Sequence, residues 1–304
     1  MNLINLLFMQ LTFVIVILSS LMTLIEKNLP TSVRQMFRYG KHANKGESDK
    51  LVELIEIPKS WFSHFYVFAI VWSWASVTLA VSVYFYGHQP SQLLIRYLDL
   101  SCGSDRAPET SPLITLTALL LMTMQCTRRF IETNFLQIFS KKSKINLTHY
   151  LCGYLHYYGV IVLIVAKGDG FVKGQSLPQL TFTASEVFLV ITSSSIFIYF
   201  WWKQYESNMI FINLRKSKTG TVVTETHLLP KGGLFNYLSS PHMTSEVAMY
   251  AALFMLLHQN SSFVYCFAWV VCNQFSNALL THRWYKETFS DYPKERKAFI
   301  PFLI

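Results

Sequence analysis

Seven apolar runs, each approaching or exceeding the roughly 20 residues needed to cross a 30 Å hydrocarbon core as a helix, constrain this chain more than any other feature. They fall at about 3–25, 62–86, 113–136, 149–166, 184–202, 244–258 and 262–281. The sixth is short and is joined to the seventh through His258-Gln259-Asn260-Ser261-Ser262, which predicts a helical hairpin. Hydrophobic residues make up 52% of the chain and charged residues 14%, against about 25% charged in soluble domains. The fold expected is an all-α integral membrane protein, a seven-transmembrane-helix bundle over residues 1–304 with no detachable soluble module. The first run lacks a basic flank and a small-residue cleavage site, so it is expected to be a retained span.

The polar connections set the orientation. Lys and Arg number seven in segment 26–61, five in Arg128, Arg129 and the KKSK link, five in segment 203–243 and five in the tail. The alternate side carries only Arg96, Arg106, Lys167 and Lys173. The positive-inside rule then predicts a lumenal N-terminus and a cytosolic C-terminus. This distribution accounts for the net charge of +9 and removes the need for a nucleic-acid partner. Four of the five cysteines lie in apolar runs, with Cys102 in the loop 87–112, and no CxxC or HExxH spacing points to a metal. Gly168-Asp169-Gly170 lacks the strand–turn–helix context of a dinucleotide fingerprint. The sequon at Asn146 falls on the cytosolic side and the one at Asn260 too close to the membrane to be modified.

Polar residues inside spans are costly and tend to face a bundle interior, where they either bond helix to helix or serve a ligand. Asn273, Asn277, Thr281 and Tyr285 recur every fourth residue on the last run. Ser240 and Pro241 predict a helix start, with His242 and Glu246 four apart in its first turns, beside Gly232-Gly233 and Arg215, Lys216, Lys218 and Lys231. Such a start suits an anion, although a first-turn carboxylate is favourable without one. Gln204, Asn208 and Arg215 share a face that either is solvated or holds phosphates and ribose hydroxyls. Arg128 and Glu132 are spaced to pair, and Arg128 with Arg129 would equally serve beside a nucleotide. Glu56 and His64 are either proton donors or interfacial residues. The tail from Thr281 to Ile304, basic and aromatic, reads as a cytosolic lid over something anionic.

The tail HRWYKETFSDYPKERKAFIPFLI, the string GGLFNYLSSPHMTSE, NLRK and RYGKH together resemble the steroid 5-alpha-reductase family. Within it, IPKSWFSHFYVF and SSPH resemble the polyprenol reductase branch. The resemblance runs from about Tyr39 to Ile304 and is dense after Gln204. It implies a seven-helix enzyme of the endoplasmic reticulum membrane that uses NADPH to reduce a carbon–carbon double bond conjugated to a carbonyl, in dolichol biosynthesis and hence in support of protein N-glycosylation. It implies spans and a substrate pocket in 1–203 and NADPH binding mainly in 204–304. Cofactor contacts carried over by motif are Gln204, Asn208, Arg215, His227, His242, Glu246, Asn277, Tyr285 and Arg296. Glu56 matches a Glu-x-Pro pattern and is implied to polarise the substrate carbonyl, with His64 nearby.

Four cofactor positions depart from the steroid enzymes: His242 replaces Asn, Gln204 and Asn208 replace Asn and Asp, and Asn277 replaces Arg. Cys126 stands where those enzymes have a substrate-facing Tyr, which argues against a steroid ketone. The implied partners are a polyisoprenoid substrate and membrane lipids, with no metal. Hydride adds to an enal because charge reaches the carbonyl oxygen, whereas an allylic alcohol offers no such sink, so polyprenal is the expected substrate. The alternatives are a steroid 5-alpha-reductase, an enoyl-thioester reductase, and a seven-helix transporter or receptor.

Overall fold

The computed structural model describes residues 1–38, 49–139, 143–175, 178–216 and 227–303. Tyr39–His42 of the RYGKH motif, Lys141 and Lys142 of the KKSK link, and Lys218 lie outside the described residues. Helices occupy all seven apolar runs: α1 (Leu3–Leu24), α4 (Phe62–Tyr84), α6 (Pro112–Ile131), α7 (Leu147–Ala166), α8 (Ala184–Asn213), α9 (Pro241–Leu256) and α10 (Phe263–Thr288). Between them lie short helices α2 (Thr31–Phe37), α3 (Lys50–Leu54) and α5 (Gln92–Cys102). Five helices are long and apolar enough to cross a membrane, those at 3–24, 59–84, 147–166, 184–213 and 263–288. The α9 helix has 16 residues, about 24 Å at the ordinary rise, and α6 ends in Gln125, Arg128 and Arg129.

Local chemistry sets the helix starts. Asn2, Ser111, Asn146 and Thr183 each accept from a backbone N–H in the first turn of α1, α6, α7 and α8, and Thr183 with Glu186 completes a capping box. The expected loop 87–112 contains α5, a difference with a plain cause. Ser91 caps it, no Gly or Pro interrupts residues 92–102, and Gly103 ends it at φ 95°. Its inner face buries Leu98 and Cys102, so the cysteine expected in a polar loop is part of the core. Both α8 and α10 outrun their apolar stretches, α8 to Asn213 and α10 to Thr288.

The bundle packs α4 on α6 and α7, α8 on α9, and α10 on α1 and α9. Two glycines of α7 permit the closest approaches. A Cβ at Gly153 would stand 2.7 Å from the Phe65 ring, and one at Gly159 would stand 2.9 Å from Phe8. From Val160 to Ala166 every α7 side chain is buried. Exposed large apolar residues such as Phe13, Val71, Trp74, Phe188 and Ile198 lie on the outer faces of α1, α4 and α8, the faces offered to lipid.

Consecutive long helices alternate in direction, so α1, α6, α8 and α10 finish at the end of the bundle where α4, α7 and α9 begin. At that end β1 (Glu56–Pro58) pairs antiparallel with β2 (Lys144–Asn146), with Glu56 opposite Asn146. The opposite end is a tight polar knot. Arg106 donates to Asp99 at 2.8 Å and to the carbonyls of Ala166 and Phe171 at 2.8 and 2.6 Å. Glu109 accepts from Lys167 at 2.8 Å and from the Ser261 N–H at 2.7 Å. Asn260 is buried and donates to the Leu163 carbonyl at 3.0 Å, so the second sequon is committed to the fold.

Candidate active site

The site begins where α9 begins. Gly232 and Gly233, at φ 91° and 52°, turn the chain into Ser240, which precedes Pro241. Ser240 is fully buried, its side chain caps nothing, and its hydroxyl has no partner among the described residues. One turn in, the Glu246 carboxylate accepts from Gln125 Nε2 at 3.1 Å and from Gln204 Nε2. Gln204 also donates to the His242 carbonyl at 3.1 Å, fastening α8 to the first turn of α9. These bonds explain why α8 continues past its apolar stretch. Its polar face at Gln204 and Ser207 is buried against α9 rather than solvated.

Two arginines on α6 hold this layer together. Arg128 donates to Gln125 Oε1 at 2.7 Å, to Gln204 Oε1 and to the Trp201 carbonyl, with its guanidinium 4.7 Å over the Trp201 ring. It meets Glu132 at 3.4 Å, so the spacing-based pair exists, but as one contact of several. Arg129 bonds the other Glu132 oxygen and donates from Nε and Nη2 to the Tyr66 hydroxyl, each at 3.2 Å. Asn208 donates to the same Glu132 oxygen at 2.9 Å. Buried charges that share so many partners are held in one arrangement, because losing a partner leaves an uncompensated charge in a low dielectric.

Above this layer lies a cavity of about 750 Å³ between α1, α2, α4 and the cavity-end halves of α6–α10. Of the site residues expected from sequence, Gln204, Asn208, Arg215, His227, His242, Glu246, Asn277 and Tyr285 line it. Arg215 donates to the Ile138 carbonyl, and Asn277 donates to the Asn273 carbonyl at 2.8 Å. Three expected residues do not line it. Glu56 accepts from Gln35 at 3.1 Å and lies 3.7 Å from Lys144, while His64 sits 3.4 Å from the Tyr150 hydroxyl and packs on Trp61. Arg296 is buried behind Tyr285. It donates to the Pro230 carbonyl at 3.2 Å and sits 5.3 Å over the Tyr292 ring, which stacks on Tyr285. Burial pulls the Arg296 guanidinium below its ordinary range, with Tyr292 opposing the shift.

The tail is tied down by Ser239, whose hydroxyl lies 2.6 Å from His282 Nδ1, 2.5 Å from the Tyr292 hydroxyl and 3.0 Å from the Lys297 carbonyl. The lining also includes Lys59, Tyr66, His149, His156, Tyr157 and Trp284. No sequence pattern marked these as site residues. Tyr66, Tyr157 and His156 sit within apolar aromatic runs, and nothing in their spacing separates a lining face from a core face.

The chemistry of the lining divides in two. Arg215 and Lys59 supply cations, Gln204, Asn208, Asn273, Gln274 and Asn277 supply amides, and Phe211, Trp284 and Tyr285 supply aromatic planes. That set suits phosphates, ribose hydroxyls and a flat heterocycle. The Ser240 hydroxyl and Arg296 Nε, both buried and without partners among the described residues, lie outside this lining. On the other side Leu11, Val14, Ile15, Leu18, Phe62 and Phe65 form an apolar wall. No cluster of three or more metal-ligating side chains occurs among the described residues.

Residues 168–304 match the family model for 3-oxo-5-alpha-steroid 4-dehydrogenase. Over its whole length the chain is 49% identical to the polyprenal reductase of Drosophila melanogaster, covering 94% of that protein. It is 31% identical to the polyprenal reductase of Caenorhabditis elegans, over 94% of this chain and 92% of the relative. The figure for the polyprenal reductase of Homo sapiens is 30%, over 93% of this chain and 92% of the relative. The family model covers the half of the chain that carries α8, α9, α10 and the tail, and the relatives cover the rest. With its C-terminal half matching the 3-oxo-5-alpha-steroid 4-dehydrogenase model and its full length matching these relatives, the chain belongs to the polyprenal reductase group of the steroid 5-alpha-reductase family.

Proposed function

We propose that this protein is an NADPH-dependent reductase of the α-isoprene double bond of polyprenal, giving dolichal in the endoplasmic reticulum membrane for dolichol synthesis and protein N-glycosylation. The observation that carries the reading is the single cavity in which a cationic, amide-rich and aromatic half adjoins an apolar half. Polyprenal reductases aligned with this chain from end to end support the substrate. Cys126, the position where the steroid enzymes have a substrate-facing Tyr, is fully buried and does not line the cavity.

NADPH, when bound, supplies hydride. Arg215 and Lys59 are assigned to its phosphates, Asn208 and Asn277 to its ribose and amide groups, and Trp284 and Tyr285 to its ring faces, while Gln204, whose amide is fully bonded, holds α8 and α9 together beneath them. Glu246, fixed by Gln125 and Gln204, orients the inner amide wall. Arg296 acts through Tyr292 and Tyr285, holding the tail against the cavity. The apolar wall receives the first isoprene units and excludes water, which strengthens every electrostatic contact at the carbonyl. Reduction of an aldehyde rather than an alcohol follows from the need for an electron sink conjugated to the double bond.

The alternation of α6 and α9 with their neighbours supports seven crossings in one integral domain, with the cavity and the basic segments on the cytosolic side. The test is a substrate panel on the full-length protein in lipid nanodiscs. With NADPH, polyprenal should turn over faster than polyprenol and faster than a 3-oxo-4-ene steroid. Equal or faster steroid reduction would overturn the assignment.

A further inference from the structure

Tyr66 on α4 and Tyr157 on α7 both line the cavity, with ring centroids 5.6 Å apart. We propose that their hydroxyls form the donor pair that holds the carbonyl oxygen of the substrate, the role the Glu-x-Pro pattern implied for Glu56. The proposal rests on the reading of this cavity as the site of enal reduction.

Tyr66 is oriented by charge. Two N–H groups of Arg129 point at its oxygen, each at 3.2 Å, and Arg129 is fixed in turn by Glu132. The Tyr66 hydrogen must therefore point away from the guanidinium, and among the described residues no acceptor takes it. A phenol that accepts from a cation is also a stronger donor through its own O–H, because chained hydrogen bonds polarise one another. Tyr157 is 5% exposed, and among the described residues its hydroxyl has no hydrogen-bond partner. Cys126 and Glu246 lie within electrostatic reach of it. The phenol that α6 lacks at Cys126 is thus present on the neighbouring helix.

Two hydroxyl hydrogens that face one cavity and are not taken up by the described residues are available to an acceptor that enters it. An aldehyde oxygen, with two lone pairs, can accept from both. Glu56 is poorly suited to the task. Its oxygens face Gln35 and Lys144 outside the lining.

The β-carbon gains a hydride from the reduced nicotinamide dinucleotide, forming a C–H bond. The alkene pair shifts to join the α-carbon to the carbonyl carbon, and the carbonyl π pair moves onto oxygen, where both phenols donate without losing their protons. The α-carbon then takes a proton from water at the polar side of the cavity, that water leaving as hydroxide, as the oxygen pair reforms the carbonyl, leaving a saturated aldehyde and the oxidised dinucleotide.

The test uses the full-length protein in nanodiscs and farnesal labelled with carbon-13 at the carbonyl. Bound without NADPH, the label should show its infrared carbonyl stretch at lower wavenumber than in lipid alone. Y66F and Y157F should each lose part of that displacement, while E56Q and Y158F keep it. With NADPH and polyprenal, each of the first two should lower kcat about 10²–10³-fold, the usual effect of losing one oxyanion donor. The NADPH-dependent thermal shift should persist in both, as evidence that they fold. Normal turnover with an unchanged carbonyl stretch in Y66F and Y157F would overturn the donor pair alone, as would loss of the displacement in E56Q. No turnover of polyprenal by the unaltered protein would overturn the functional reading beneath it.

Discussion

The two ends of the helix bundle spend their polar residues differently. At the end where α5 packs and α6 begins, Arg106 and Glu109 stitch neighbouring segments together through short bonds to Asp99, Ala166, Phe171, Lys167 and Ser261. At the cavity end, the Tyr66 hydroxyl accepts from Arg129 and donates to nothing among the described residues, and Tyr157 lines the same cavity, although Glu246, Arg128 and Glu132 are tightly bonded just beneath them. One end uses its polar groups to fix helix positions. The other fixes only a floor and leaves the groups above it for a ligand. A stable bundle and an adaptable site coexist because they are separated along the helix axes.

This contrast can be broken most severely at the floor. E246A removes the acceptor shared by Gln125 and Gln204 and leaves two buried amide N–H groups unpaired, so stability should fall by about 1–3 kcal/mol for each. The NADPH-dependent thermal shift should disappear with it. At the opposite end R106M should cost about 2–3 kcal/mol through lost charge-assisted bonds, measured by chemical denaturation in detergent. The folded fraction should nevertheless keep its NADPH affinity; a weakened affinity would show that the two ends are not independent.

Smaller effects are expected at the tail and in acid. Y292F removes a hydroxyl from the Ser239–His282 cluster and should cost about 1 kcal/mol, with a several-fold rise in KM for NADPH and little change in kcat. The smallest effect concerns Glu109. Burial raises its pKa, but bonds from Lys167 and Ser261 outweigh that and hold it below the ordinary 4.5. Because the folded state is the stronger acid, the contribution is present above pH 4.5 and fades as pH falls through the depressed folded value. Glu109 is partly exposed, so less than about 1 kcal/mol is at stake. E109Q should flatten this part of an acid-unfolding curve.

Much of the bundle was legible because apolar length is a strong signal, and caps such as Asn146 and Thr183 mark the helix starts. The loop helix α5 is masked in the sequence because Pro90, Pro108 and Pro112 mark the segment as a loop while the stretch 92–102 between them is uninterrupted. The site was legible where polar residues break an apolar or basic pattern at helical spacing, as at Gln204, Asn208 and Asn277. Tyr66 and Tyr157 were invisible for the opposite reason. In a chain with 24 Phe and 16 Tyr, a tyrosine in an apolar run carries no mark of which wall it will join. The placement of Glu56 could not be read locally either, since it depends on Lys144 and Gln35 from separate segments.

Val14 belongs both to the cavity wall and to the exposed outer surface of α1, at 52% exposure. A cavity of this size holds a drug-sized ligand, so under the proposed function a long isoprenoid sharing it with a dinucleotide would leave most of its length among the acyl chains. The relevant substrate concentration is then a mole fraction in two dimensions. Diluting the bilayer with inert lipid at constant bulk amounts should slow the reaction, whereas adding isoprene units beyond the first few should leave the rate at saturation nearly unchanged.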